Sequence, residues 1–275
     1  MTSTGIKSMR LYAHLERIAR ELEAAGIDPD GVLTVDQLSP FDNLHYHGTD
    51  AMDRAILELG VNADSNIAEI GSGLGGPARY IADRTGCRVT ALELQPDLDA
   101  VAQKLTEQCG LAQLVTHRCG DVMDGPLETG AYDAVVSWLA LYHIADPAAL
   151  FAHIAAALKP SGGLYVEDLF GRGDFTADET VLVRDKLYGQ SLPRLNVYGA
   201  HLADAGLTDI RLDDLSDDWA GFTRQRNIAY RADRERHVAL HGEETVTELA
   251  AFYDTVDQLF QGGNLGGVRA VARLA

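Results

Sequence analysis

Ile67-Ala68-Glu69-Ile70-Gly71-Ser72-Gly73-Leu74-Gly75-Gly76-Pro77 joins an apolar run to a glycine-rich turn. Its first four residues are a short apolar run of strand character. The glycines that follow let the backbone turn sharply and lie against a ligand with no side chain between. A helix is expected over 77–84, and its free N–H groups point back at that ligand. Read literally, Gly71, Gly73 and Gly76 satisfy G-x-G-x-x-G, the dinucleotide fingerprint. The glycines alone therefore specify a nucleotide-like cofactor and leave its kind open. A tight turn without a ligand is the weaker reading, because strand, turn and helix come in the required order.

Outward from this turn, short apolar strands alternate with helices. Strands are expected at 67–70, 88–94, 114–118, 132–137 and 164–168, with helices at 97–109 and 147–158. This rhythm predicts a parallel, doubly wound sheet with right-handed crossovers. Beyond Asp168 the rhythm slows: helices at about 178–190 and 198–205, a strand at 209–215, a helical insert over 219–261 and a last strand near 266–273. Upstream, Leu11, Leu15, Ile18 and Leu22 mark an amphipathic helix over 8–25, and a second helix opens at Thr49 and runs to about Leu59. No internal repeat or low-complexity linker interrupts the chain.

The 275 residues suffice for one large domain with an elaborated lid. A formal net charge of −18 opposes phosphate backbones and anionic membranes, so neither nucleic acid nor a membrane is the expected partner. Cys87, Cys109 and Cys119 lack metal-type spacing and read as reduced thiols. Arg10, His14, Glu16, Arg17 and Arg20 interrupt the apolar residues of the start, unlike a signal peptide. No stretch approaches the roughly 20 apolar residues of a membrane helix. The cytoplasm is the expected location. A monomer and a homodimer closed through the N-terminal helix or the lid are both compatible with the sequence.

Three acids separate the candidate cofactors. Glu69, just before the first glycine, is awkward beside a pyrophosphate and suits a cationic amino-acid group. Glu93 ends the second strand, where its carboxylate can accept both ribose hydroxyls. Asp121, in Gly120-Asp121-Val122 after the third strand, can accept the adenine amino proton. Any one of them is readable as ordinary surface charge. Their recurrence at the ends of successive strands is not.

At these residues the chain resembles the class I, Rossmann-like S-adenosylmethionine methyltransferases. The matching segments are Ala68–Gly76, Ala91-Leu92-Glu93-Leu94, Gly120-Asp121-Val122, Tyr132–Ser137 and Leu158-Lys159-Pro160-Ser161-Gly162-Gly163. The resemblance implies S-adenosylmethionine as cofactor and S-adenosylhomocysteine as product. By it, Gly71, Ser72, Gly73 and Gly75 carry the cofactor loop, Glu93 with Leu94 the ribose, and Asp121 with Val122 the adenine. Ser137 and Trp138 line the methionine side, and Tyr46 closes the pocket from the N-terminal side. It also implies a reversed last strand. The expected architecture is thus α/β: a mostly parallel seven-stranded sheet with N-terminal helices as a cap over 1–62. The methyltransferase domain covers 63–275, with its core at 66–170 and lid inserts at about 171–205 and 219–262. Looser likenesses at His45–Ala51 and Leu202–Ile210 are similar to N-methyltransferases of the sarcosine and dimethylglycine type.

Methyl transfer is an in-line displacement whose leaving group the cofactor brings with it, so the protein must align a nucleophile and exclude water. His143, beyond the fourth strand, is the candidate base or orienting group. His47, Tyr142, Tyr198, Trp219 and Arg224 are the candidates for the acceptor pocket. Their aromatic faces can surround a methylated cation, and Arg224 or Arg226 can fork a carboxylate. His45 and His47 have no third partner at convincing spacing, so no metal is expected. The expected function is methyl transfer to a small amine or amino-acid nitrogen. Transfer to oxygen, sulfur or carbon of a metabolite, an NAD-dependent oxidoreductase and a non-catalytic cofactor-binding scaffold are the alternatives.

Overall fold

The computed structural model describes residues 14–275. Residues 8–13 of the expected first helix, Leu11 among them, lie outside the described residues. The described part is helical over Arg17–Ala24 (α1), with Ile18 and Leu22 buried. Two more helices precede the sheet, Val35–Asp42 (α2) and Thr49–Leu59 (α3). A capping box between Thr34 and Gln37 starts α2.

The alternation then runs β1 (Asn66–Ile70), α4 (Gly76–Thr85), β2 (Arg88–Glu93), α5 (Pro96–Gln108), β3 (Val115–Cys119), β4 (Tyr132–Trp138), α6 (Pro147–Ala157) and β5 (Leu158–Gly171). After it come α7 (Ala177–Asp185), α8 (Leu195–Asp204), β6 (Leu207–Asp214), α9 (Ser216–Ala232), α10 (Arg234–His241), α11 (Glu243–Gly262) and β7 (Leu265–Leu274). Proline in the first turn of α4, α5 and α6 suits positions whose N–H has no partner inside the helix.

The strands form one sheet in the order β3-β2-β1-β4-β5-β7-β6. β1 pairs parallel to both β2 and β4, while β7 runs antiparallel between β5 and β6. This is the expected doubly wound sheet with a reversed last strand. Nearly every residue of β1, β2 and β4 is buried, as strands covered by helices on both faces must be. One core packs α3 and α4 through Met52 and Ile81, and the other packs α6 and α8 through Phe151, Ile154 and Leu202. The strand order reverses between β1 and β4, which opens a crevice beyond their carboxyl ends.

An ion pair stitches the N-terminal helices to this crevice. Arg79 on α4 is fully buried and donates to Asp42 Oδ2 on α2 at 2.7 Å. The same guanidinium donates to the carbonyls of Leu74 and Ala102 and to Thr106 Oγ1. Such a group is tolerable in the interior because its hydrogens are almost all used.

Candidate functional site

A cavity of about 290 Å³ occupies the crevice. Each element ending there contributes: Glu69 to Gly73 from β1 and its turn, Leu92 to Gln95 from β2, Gly120 to Met123 after β3, and Trp138 to Ala140 with His143 after β4.

The turn is held by Leu92, whose carbonyl accepts from the N–H groups of Gly71 and Ser72 at 2.9 and 3.0 Å. Gly71 has φ +73°, and a β-carbon there would lie 2.3 Å from Ala140 Cβ. Gly75, at φ +74°, excludes a side chain for a different reason: Arg79 and His117 crowd it, and it does not line the cavity. Gly73 is the opposite case. With φ +54° it lines the cavity, and nothing lies within 4 Å of where its β-carbon would be.

Three carboxylates face the same space. Glu69 is buried, and its Oε2 has no hydrogen-bond partner among the described residues. Burial pushes its carboxyl well above the usual range, against the opposing pull of the Arg79 charge. Glu93 accepts the Gly73 N–H on Oε2 at 2.8 Å and the Gln95 N–H on Oε1 at 2.9 Å. Burial raises it too, and those amides oppose the shift. Asp121 accepts the Met123 N–H on Oδ1 at 2.9 Å. Each carboxylate oxygen keeps a further lone pair for a ligand hydroxyl or amine.

His143 is buried on the cavity wall. Its Nδ1 lies 3.1 Å from the Tyr188 carbonyl, which can only accept, so Nδ1 carries the hydrogen and Nε2 the lone pair. Nε2 has no partner among the described residues. Burial lowers the imidazole to about 4, so it is neutral at physiological pH. Trp138 leaves its buried Nε1 donor similarly unpaired. Ser137 does not reach the cavity; its hydroxyl donates to the Ile70 carbonyl at 2.8 Å and ties β4 to β1.

Asp168, near the end of β5, is buried beneath the His143 turn, its Oδ1 has no partner among the described residues, and burial raises its carboxyl to about 8. The Leu169 and Tyr142 amides oppose that shift. The native state thus holds a proton that an unfolded aspartate, near 3.8, releases. Between those two values the folded chain binds more protons, so this group's contribution to stability is full below about 4 and is lost as pH rises through about 8. Urea unfolding of Asp168→Asn across this range should give a flatter pH dependence than wild type; parallel curves would place the proton elsewhere.

A second cavity, of about 450 Å³, shares Leu44, His45, Leu74 and Leu98 with the first. Its other walls include Ile18 and Glu21 of α1, Phe41 of α2, Phe222, Arg226 and Tyr230 of α9, and Tyr253 of α11. Arg226 sits 4.9 Å from the Tyr46 ring centre and 4.8 Å from that of Tyr253, and its Nε has no partner among the described residues. His45 donates from Nε2 to the Gly48 carbonyl at 3.0 Å, and burial lowers it to about 4.

The residues expected on the acceptor side, and Tyr46, expected to close the cofactor pocket, are distributed otherwise. Tyr46, Tyr142 and Trp219 are buried in one apolar cluster, and Tyr46 meets Trp219 edge-on at 4.7 Å. Tyr198 is in the sheet core against Phe151. These rings are buried and line neither cavity. His47 holds Asp218 at 2.7 Å outside both cavities, and Arg224 is on the exposed face of α9. Of the two arginines expected as a carboxylate fork, the structure brings Arg226 and not Arg224 to the second cavity, together with Tyr230, Tyr253 and His45. Phe222, Arg226 and Tyr230 recur every four residues, a spacing that places them on one helix face and was readable in the sequence.

Residues 68–166 match a family model described as a methyltransferase domain. The chain is 27% identical over 179 residues to a glycine/sarcosine/dimethylglycine N-methyltransferase of Actinopolyspora halophila, covering 65% of this chain but only 32% of that longer relative. It is 25% identical to a sarcosine/dimethylglycine N-methyltransferase of Halorhodospira halochloris, over 74% of this chain and 72% of the relative. Among solved structures, phosphoethanolamine N-methyltransferase 2 of Haemonchus contortus, in complex with phosphomonomethylethanolamine and S-adenosylhomocysteine, superposes with a TM-score of 0.79 at 19% identity. That match covers 96% of this chain and 60% of the other. No helix among the described residues is long and apolar enough to cross a membrane.

Proposed function

The chain is built on the class I, Rossmann-like methyltransferase plan, and on that premise we propose that it transfers a methyl group from S-adenosylmethionine to the nitrogen of a small amine or amino acid. One observation carries the cofactor assignment. Glu69 lines the cavity beside the vacant space at Gly73, and its buried Oε2 has no partner among the described residues. Burial leaves this carboxyl reluctant to ionise, and an ammonium set against it favours the carboxylate whereas a pyrophosphate opposes it. This disfavours the dinucleotide that the literal glycine fingerprint allows.

When bound, the cofactor supplies an electrophilic methyl and a neutral thioether leaving group. The residues of the chain do the rest. Glu69 pairs with the α-ammonium, Glu93 accepts from the ribose and Asp121 from the adenine amine. The acceptor enters from the second cavity, where Arg226, held over the Phe222 and Tyr253 rings, meets a carboxylate. His143 Nε2 accepts an N–H of the amine and turns its lone pair towards the methyl. The proton lost by the nitrogen leaves to solvent, since an imidazole at about 4 cannot retain it.

We take residues 63–275 as the catalytic domain, with 1–62 as its cap and 171–205 and 219–262 as its lid; the second cavity, walled by α1, α2, α9 and α11, supports this division. The three free cysteines support a reducing compartment, and we place the enzyme in the cytoplasm. A screen with tritiated S-adenosylmethionine over pooled amines, amino acids, phenols and thiols tests the reading. Label should pass to an amine or amino acid. Label only in phenols or thiols would move the accepting atom, and label nowhere would leave a cofactor-binding scaffold.

A further inference from the structure

One wall of the second cavity carries a cluster that methyl transfer does not use. Glu21 on α1 and His237 and His241 on α10 each bring a ligand-type atom to within 4.8 Å of the other two. His237 and His241 are four residues apart and so share one helix face. Glu21 comes from the other end of the chain, more than 200 residues earlier, so only the folded state assembles the trio. All three line the cavity.

We propose that Glu21, His237 and His241 bind a divalent transition-metal ion of the zinc class, clipping α1 to the lid. Two imidazoles and one carboxylate are a ligand set that zinc takes, with a fourth position left open, here towards the cavity that the three residues line. The surroundings already orient the ligands. Glu21 Oε1 lies 2.8 Å from His241 Nε2, while its other oxygen is held by the Arg236 guanidinium. An outer hydrogen bond of that kind is what fixes a ligating carboxylate. Tyr230 stacks on His237 with ring centres 4.3 Å apart and holds that imidazole in place. The His241 side chain is only 4% exposed, and its Nδ1 has no partner among the described residues. On binding, His241 changes tautomer: Nε2 gives up the hydrogen it now shares with Glu21 and Nδ1 takes one up, so the ring stays neutral and Nε2 turns its lone pair on the ion.

The competing account is a plain staple, in which Glu21 joins Arg236 and His241 without any ion. The two differ in measurable metal content. Tag-free protein, stripped with EDTA and equilibrated with zinc by dialysis, should retain about one zinc per chain. His237→Ala and His241→Ala should each weaken zinc by at least about 10–100-fold with far-UV circular dichroism unchanged. Zinc should also raise the Tm of wild type and not that of His237→Ala, a variant at a half-buried position. Absence of stoichiometric zinc, or equal binding by wild type and both variants, overturns the proposal. None of these readouts involves methyl transfer, so an inactive enzyme would leave the result intact.

Discussion

A Gly73→Arg variant should lose S-adenosylhomocysteine affinity by more than about a hundredfold, or about 2.7 kcal/mol, while remaining folded. Gly73 lines the cofactor cavity, and nothing surrounds the place its β-carbon would take. An arginine there grows into the cavity, where Glu69 and Glu93 attract its guanidinium and hold it in the cofactor's place. The fold suffers only the left-handed φ of +54°, a cost of about 1–2 kcal/mol for a residue with a side chain. At Gly71 both costs would fall on the fold, because Ala140 stands 2.3 Å from any added β-carbon. Calorimetric titration together with urea unfolding separates the two effects. Normal affinity in a folded Gly73→Arg protein would put the cofactor elsewhere.

His143→Ala should lower kcat by about a hundredfold with cofactor affinity unchanged, the lower end of what a positioned acid–base group contributes. With its pKa near 4, His143 is a hydrogen-bond acceptor rather than a store for the proton. Above about pH 5 its charge does not change, so the rise of kcat/KM with pH should follow deprotonation of the acceptor amine and persist in the variant. Unchanged turnover at every pH would remove His143 from the mechanism. A rise that disappears in the variant would make it the titrating base.

The sheet and the cofactor side were legible because their signals are local. The central parallel strands β1 and β4 read as apolar runs, and Glu69, Glu93 and Asp121 fall at or just beyond strand ends, on the crevice. β5 is longer than its apolar run of 164–168: pairing resumes past the Pro160–Gly163 turn, with Leu158 opposite Tyr132 and Gly163 opposite Ala134. Gly75 and Ser137 resembled cofactor contacts, yet Arg79 crowding and a β4–β1 link account for them. The acceptor side was less legible because α1, α2, α9 and α11 build it from distant parts of the chain. Which face of a helix looks inward depends on its partner. Trp219 and Arg226 lie on the same helix, but one fills the core and the other reaches the cavity. The trio of Glu21, His237 and His241 had no sequence signal beyond a pair of histidines four apart.

The most direct test is a calorimetric titration of the purified chain with S-adenosylhomocysteine and, separately, with NAD. A single S-adenosylhomocysteine site and no measurable heat from NAD is the predicted result, since a buried Glu69 oxygen welcomes an ammonium and rejects a pyrophosphate. Tight NAD binding with none for S-adenosylhomocysteine would contradict it.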